Sequence, residues 1–219
     1  MKTIVAINAS PRTGWNTGTL VRAAAKGAKA EGVRTEIFDL YRLQPFTGCV
    51  SCFGCKSPAH PGECVCKDGL EPVLSAIRQA DGLILGTPNY LGDISAGCRA
   101  LYERLIFQSL TYKTDPRSYN RRQIPVLLIM TSNVPEELYP NVGYDRMLEG
   151  YRGTLNKMVG PTKIMVCGDT LQVHDYEKCG WTMFDQAAKQ ARRAQVFPTE
   201  QERALALGRE MAAAPWKAE

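Results

Sequence analysis

No apolar run in this 219-residue chain approaches the roughly 20 residues that a membrane helix needs; the longest, such as Ile124 to Met130, are far shorter. That absence excludes a membrane span. The N-terminus lacks the long apolar region and the Ala-x-Ala site of a secretory leader, so the expected location is the cytoplasm. Lys and Arg are not gathered on one stripe. The net charge is only +5 and acidic residues interleave nearly everywhere, which argues against nucleic acid as a partner. There is also no Ser/Gly linker, internal repeat or low-complexity segment, so one domain over residues 1–219 is expected. What is present is an ordinary globular composition, 44% hydrophobic and 22% charged, with length enough for a proper core. It also holds eight cysteines, five of them between Cys49 and Cys66. In a reducing compartment such cysteines read as chemistry rather than as structural bridges.

The order of segments carries the fold. Ile4 to Ile7 is a short β-branched run that reads as a buried central strand. Thr17 to Ala30 then changes to helical spacing, with Leu20, Val21, Ala24, Ala25 and Ala28 on one face. Val33 to Leu40 reads as a second strand, Leu70 to Ala80 as an amphipathic helix and Gly82 to Thr87 as a third strand. Ile94 to Leu110 reads as a helix, Ile124 to Met130 as a strand covered on both faces, and Lys163 to Cys167 as a fifth strand. A last helix or helix pair runs from about Trp181 to Ala213 and breaks at Phe197-Pro198, with Phe184, Ala187, Ala188 and Ala191 expected in the core. Strands alternating with helices predict an α/β fold, a parallel sheet between helix layers with right-handed crossovers. Ligands of such sheets bind beyond the carboxyl ends of the strands.

Three loops at that edge draw attention. The first, Asn8 to Thr19, brings hydroxyls at Ser10, Thr17 and Thr19, the Arg12 guanidinium, the Asn16 amide and the N–H groups of a helix start, which together suit a phosphate. It has neither G-x-G-x-x-G nor G-x-x-x-x-G-K-[ST], which argues against a dinucleotide turn and a nucleotide-hydrolysing P-loop. A monophosphate fits better; the alternative is a polar loop in which Asn16 or Thr17 merely caps the helix. The second loop, Pro88, Asn89, Tyr90, Leu91 and Gly92, offers flat and apolar surface for a planar ring. The third, Thr131, Ser132 and Asn133, offers small polar groups to close the other side.

Cys49-x-x-Cys52-x-x-Cys55 has the spacing by which a loop wraps three thiolates around a [4Fe–4S] cluster, with Cys64 or Cys66 as the fourth ligand. A zinc site, a redox-active dithiol and free thiols stay open beside the cluster. His60 reads as a surface loop residue. His174 sits after the fifth strand, where a site role and a surface role are both open. Cys167 reads as a buried thiol, Cys98 and Cys179 have no assigned partner, and Arg99 and Glu103 read as an exposed helical pair. Between the third helix and fourth strand, Gln108 to Gln123 is a basic aromatic insertion suited to an anionic nucleotide or to subunit packing.

Taken together, Ser10-Pro11-Arg12, Asn16-Thr17, the three spaced cysteines with Cys64 and Asp68, and Ala80-Asp81-Gly82 through Pro88-Asn89-Tyr90 resemble the NADPH-dependent FMN reductase and iron-sulfur flavoprotein group of flavodoxin-like proteins. The resemblance implies a flavodoxin-like three-layer sandwich with a five-stranded parallel sheet in the order 2-1-3-4-5, interrupted by a cysteine-rich insertion at about 48–67. It implies FMN with its phosphate at Ser10, Arg12, Asn16 and Thr17. Its ring would lie along Pro88, Asn89, Tyr90, Leu91 and Gly92, completed by Thr131, Ser132 and Asn133. NAD(P)H is the implied co-substrate, and a homodimer or homotetramer the implied assembly. The expected function is an NAD(P)H-dependent flavin oxidoreductase in which no side-chain acid or base is required. The alternatives are an iron-sulfur flavoprotein carrying a cluster on Cys49, Cys52, Cys55 and Cys64 and fed by a ferredoxin, and a non-catalytic flavin or thiol sensor. Two departures stand out: Gly69 occupies the place of a usual second acidic residue, and the gap from Cys55 to Cys64 is longer than the group's compact motif.

Overall fold

The computed structural model describes residues 1–213 and 216. The central strand is β1 (Thr3–Asn8), whose side chains alternate between two apolar layers, as a strand buried on both faces requires. Parallel to it on one side lies β2 (Arg34–Asp39), and on the other β3 (Gly82–Tyr90), then β5 (Val126–Thr131) and β6 (Thr162–Cys167). The order is thus β2-β1-β3-β5-β6, with a short strand β4 (Asp93–Ile94) folded back antiparallel on the end of β3. Apart from that added stub it is the expected flavodoxin-like sheet. Its register aligns the strand ends: Asn8 faces Asp39 and Gly86, Pro88 faces Thr131, and Thr131 faces Cys167. All the loops that follow therefore leave from one edge.

Ile4, Ala6, Ile84, Leu127 and Ile129 point to the layer formed by α1 (Asn16–Ala30) and α7 (Phe197–Ala213). Val5, Ile7, Leu83, Leu85, Leu128 and Met130 point to the opposite layer, formed by α2 (Glu71–Gln79), α3 (Ala96–Ser109) and α5 (Tyr144–Met158). Helices α1 and α7 touch backbone to backbone: a Cβ on Gly27 would lie 1.9 Å from the Leu205 carbonyl oxygen, and one on Gly208 would lie 1.9 Å from that of Ala24.

Two features differ from the sequence reading. Helix α5, preceded by the single turn α4 (Tyr139–Val142), was not anticipated; it buries Leu148, Tyr151 and Leu155, but Gly150 and Gly153 interrupt its pattern. The chain after Trp181 becomes helical only at α6 (Gln186–Gln195), where Asp185 accepts from the Ala188 N–H at 3.0 Å. Ala187, Ala188 and Ala191 are exposed there, not core. The inner face of α6 is instead given to Lys189, because Asp169 and Asn133 wait beneath it to pair with its charge. No helix among the described residues is long and apolar enough to cross a membrane.

Candidate functional site

The turn after β1 is built by its own side chains. Buried Asn8 accepts from the Ser10 N–H at 3.2 Å and donates to Asp39 at 2.7 Å, which bends the chain off the sheet. Ser10 Oγ accepts from the Arg12 N–H at 3.2 Å. Arg22 grips the Thr13 carbonyl at 3.1 Å and Asp39 at 2.6 Å, fixing the loop from behind. Helix α1 then starts after Trp15, and no side chain caps it. Asn16 and Thr17 lie inside the first turn rather than capping it, so the initial N–H groups of α1 keep their capacity for an outside acceptor. Gly18 permits the close return of the loop, since a Cβ there would come within 2.0 Å of the Thr13 carbonyl oxygen.

The three loops interlock. Thr17 Oγ1 and Thr131 Oγ1 are 2.7 Å apart, joining the first turn of α1 to the end of β5. Ser95 Oγ donates to the Ala9 carbonyl at 2.7 Å, and its N–H donates to Thr87 Oγ1 at 3.0 Å, joining the β1 and β3 loops. Together Ser10, Arg12, Asn16, Thr17, Pro88, Asn89, Tyr90, Thr131, Ser132 and Asn133 line one open cleft of about 150 Å³. Burial raises the pKa of the Tyr90 phenol, with Arg12 opposing it, so the hydroxyl stays protonated at neutral pH. Leu91 and Gly92 stand apart from this lining. They are the two-residue tip of the β3–β4 hairpin, both at positive φ (55° and 88°), with Leu91 wholly exposed.

A fourth loop, after β6, for which the sequence offers a site role only at His174, closes the cleft with Thr170 and Gln172, while Trp15 adds an aromatic wall. Asn16 donates to the Leu171 carbonyl at 2.8 Å and Trp15 Nε1 to the same oxygen at 3.0 Å, while Arg12 donates to Gln172. From α6, Arg193 donates to Asn16 Oδ1 at 2.6 Å and buried Lys189 to Asn133 Oδ1 at 2.7 Å. The signal for this loop was available, since β6 ends on the same edge as β1, β3 and β5. His174 lies exposed in it, edge-on to Trp15 at 4.7 Å.

The cysteine insertion forms a second, tight hollow, a cavity of about 10 Å³, lined by Cys49, Cys52, Cys55, Cys64 and Cys66 with Phe53, Phe107 and Arg104. Ser51 and Phe53 adopt left-handed φ (51° and 56°), which curls the loop. Lys56 ties the loop to the end of α3, donating to the Leu110 carbonyl at 2.6 Å. Gln108 accepts from the Cys64 N–H at 3.1 Å. Burial pushes the Cys55 and Cys66 thiols up; Lys56 opposes this at Cys55, and neighbouring Cys64 reinforces it at both. Among the described residues no three His, Cys, Asp or Glu side chains converge tightly enough for one metal ion. A four-iron cluster asks for less convergence, because each thiolate binds a different iron. His60 is exposed and off this lining, and Cys179 is exposed. Cys98 is fully buried with its thiol pushed up by burial to about 12, and Cys167 is buried, donating to Glu200 at 2.8 Å.

Arg104 is the residue whose place the sequence did not reveal. It follows the exposed Arg99–Glu103 pair on α3, yet its side chain is only 1% exposed. It donates to both Asp68 oxygens at 2.6 Å and to the Cys66 carbonyl at 3.1 Å. Burial alone would raise the Asp68 carboxyl; bonds from Arg104 and from the Leu70 and Thr47 amides outweigh it and hold it below the usual carboxylate range.

Residues 2–134 match the NADPH-dependent FMN reductase family. An iron-sulfur flavoprotein of Methanocaldococcus jannaschii is 36% identical over 103 residues, 46% of this chain and 50% of that protein. One of Methanosarcina thermophila is 30% identical over 103 residues, 47% and 52% of the two chains. The chain thus spans about half the length of the curated relatives it matches. Among solved structures, an NAD(P)H:quinone oxidoreductase from Methanothermobacter marburgensis superposes with a TM-score of 0.69 at 14% identity, covering 98% of both chains. An azoreductase from Bacillus anthracis gives a TM-score of 0.66 at 12% identity, covering 95% of this chain and 99% of its own. At such identities these two show a shared fold. The family match extends over more than half of the sequence and contains the β1 and β3 loops and all five clustered cysteines, so the chain belongs to the NADPH-dependent FMN reductase family.

Proposed function

We propose that this chain is an FMN-dependent oxidoreductase that takes reducing equivalents from NAD(P)H and passes them to a small-molecule or protein acceptor. The observation that carries this reading is the single cleft into which loops from four distant stretches of sequence bring a helix N-terminus, hydroxyls and an aromatic wall. The uncapped first turn of α1, Ser10 and Arg12 would take the phosphate, whose charge suits the positive helix end. Thr17 and Asn16 are engaged with Thr131, Leu171 and Arg193, and so would position the loop more than bond the phosphate directly. Pro88, Asn89 and Tyr90 would flank the ring, and Thr131 to Asn133 would meet its polar edge. The bound flavin would supply the hydride chemistry, and the chain would contribute binding, orientation and exclusion of water. Titration of the protein with FMN and then NADPH, followed by absorbance, tests this. Bleaching faster than that of free FMN supports it, and failure to bind FMN overturns it.

A second reading is favoured by the cysteine cavity. The similarity to proteins named iron-sulfur flavoproteins and the five cysteines around one hollow support a [4Fe–4S] cluster held by Cys49, Cys52, Cys55 and Cys64, with a ferredoxin-like donor. Iron and sulfide analysis after anaerobic purification tests it, and a Cys49→Ala variant with unaltered iron content would contradict it. A homodimer or homotetramer, in the cytoplasm, completes the proposal; light scattering reads the assembly.

A further inference from the structure

We propose that Arg104 is a positioning and potential-setting residue for the cysteine cavity, placing a buried fixed positive charge and a spare N–H donor against the thiolates that line it. The inference rests on the cluster reading above and deepens it. Arg104 shares the cavity wall with Cys49, Cys52, Cys55, Cys64 and Cys66. One terminal nitrogen of its guanidinium is spent on Asp68 at 2.6 Å and the other on the Cys66 carbonyl at 3.1 Å, while Nε is buried with no partner. Buried N–H groups are nearly always satisfied, so an orphan donor on a cavity wall marks a place where an acceptor belongs. Sulfur bound to iron is such an acceptor, and hydrogen bonds to cluster sulfurs together with local charge are the protein's means of setting potential.

The ion pair explains how so buried a cation is kept. Asp68 balances it and is itself fixed by the Leu70 N–H at 3.0 Å and the Thr47 N–H at 3.3 Å. The guanidinium is therefore held in place on the cavity lining, whereas its carboxylate partner is not part of that lining. Reduction adds one electron and no proton, with no bond made or broken, and so raises the negative charge inside the cavity. Arg104 favours that state, and Asp68 opposes it. The two residues must then shift the midpoint potential in opposite directions, which a purely structural role would not do.

The test is a mediated redox titration, with dithionite as reductant and electron paramagnetic resonance as readout, on anaerobically purified full-length protein. Arg104→Gln is expected to disfavour reduction by about tenfold, a midpoint about 59 mV more negative. Arg104→Lys should retain most of the wild-type value, and Asp68→Asn should move the midpoint the other way. If Arg104→Gln sheds its iron, the Arg104→Lys and Asp68→Asn midpoints still decide. A wild-type cluster whose potential is unmoved by Asp68→Asn, or moved in the same direction by both changes, overturns the role of Arg104. Absence of iron and sulfide from the wild-type protein removes the cluster and this role together, and leaves the FMN cleft untouched.

Discussion

The hydroxyls of Thr17 and Thr131, separated by 114 positions in the sequence, meet at 2.7 Å in a buried bond that ties the first turn of α1 to the end of β5. The β1 and β5 sides of the cleft are thereby tied to each other. Replacing Thr17 by Val leaves the Thr131 hydroxyl buried without its partner and should cost about 1–3 kcal/mol of stability. The double change to Val at both positions should recover part of that loss, because neither polar group is then stranded. FMN affinity should fall in the single variant and not return in the double one. Urea unfolding and flavin fluorescence titration read the two effects separately.

Gly18 gives a sharper test of the β1 loop. In an ordinary helix Gly→Ala stabilises by about 1 kcal/mol. Here the new Cβ would meet the Thr13 carbonyl oxygen at 2.0 Å, so the loop must move. Gly18→Ala is expected to weaken FMN binding by about tenfold or more, equivalent to about 1.4 kcal/mol, and to lower thermal stability. An unchanged dissociation constant would show that the loop does not hold the phosphate.

Lys189 should matter although it lies behind the cleft. It donates to Asn133 Oδ1 at 2.7 Å and pairs with Asp169, so Lys189→Met frees the β5 loop and removes the donor from acceptors on Asn133 and Asp169. The expected result is a stability loss of about 1–3 kcal/mol together with weaker FMN binding. Lys189→Arg, which keeps the charge, should lose less of both.

The Asp68–Arg104 pair sets an acid limit. The Asp68 carboxyl lies below its ordinary value in the folded chain, so the unfolded chain takes up the proton first as pH falls. Its stabilising contribution is therefore complete above the unfolded carboxylate range, near about pH 4, and is lost as pH falls through the depressed folded value. Asp68→Asn leaves buried Arg104 unpaired and should cost about 3–5 kcal/mol at neutral pH. The gap between variant and wild type should close in strong acid. Chemical unfolding at neutral pH and in acid measures it.

Much of this architecture was legible in the sequence for simple reasons. Ile4 to Ile7, Leu83 to Leu85 and Val126 to Met130 are uniformly apolar because both faces of each strand are covered, and such runs with helical spacings between them admit few folds. The β1, β3 and β5 loops were readable because Ser10, Arg12, Pro88, Tyr90 and Thr131 announce turns and polar groups. Helix α5 was hidden by Gly150 and Gly153 in a polar stretch whose buried side chains are only Leu148, Tyr151 and Leu155. The inward face of α6 was misread because pattern rules send alanine inward and lysine outward. Only the tertiary placement of Asp169 and Asn133 reverses that. Arg104 was unreadable for the same reason: its partner Asp68 lies 36 residues away, across the cysteine loop.

The measurement closest to the central claim is a titration of the flavin-free protein with FMN, followed by flavin fluorescence, on the wild type and on Gly18→Ala and Arg12→Ala. The cleft reading expects saturation at one FMN per chain, with affinity reduced in both variants. Saturable binding that neither substitution alters, or no binding at all, would contradict it.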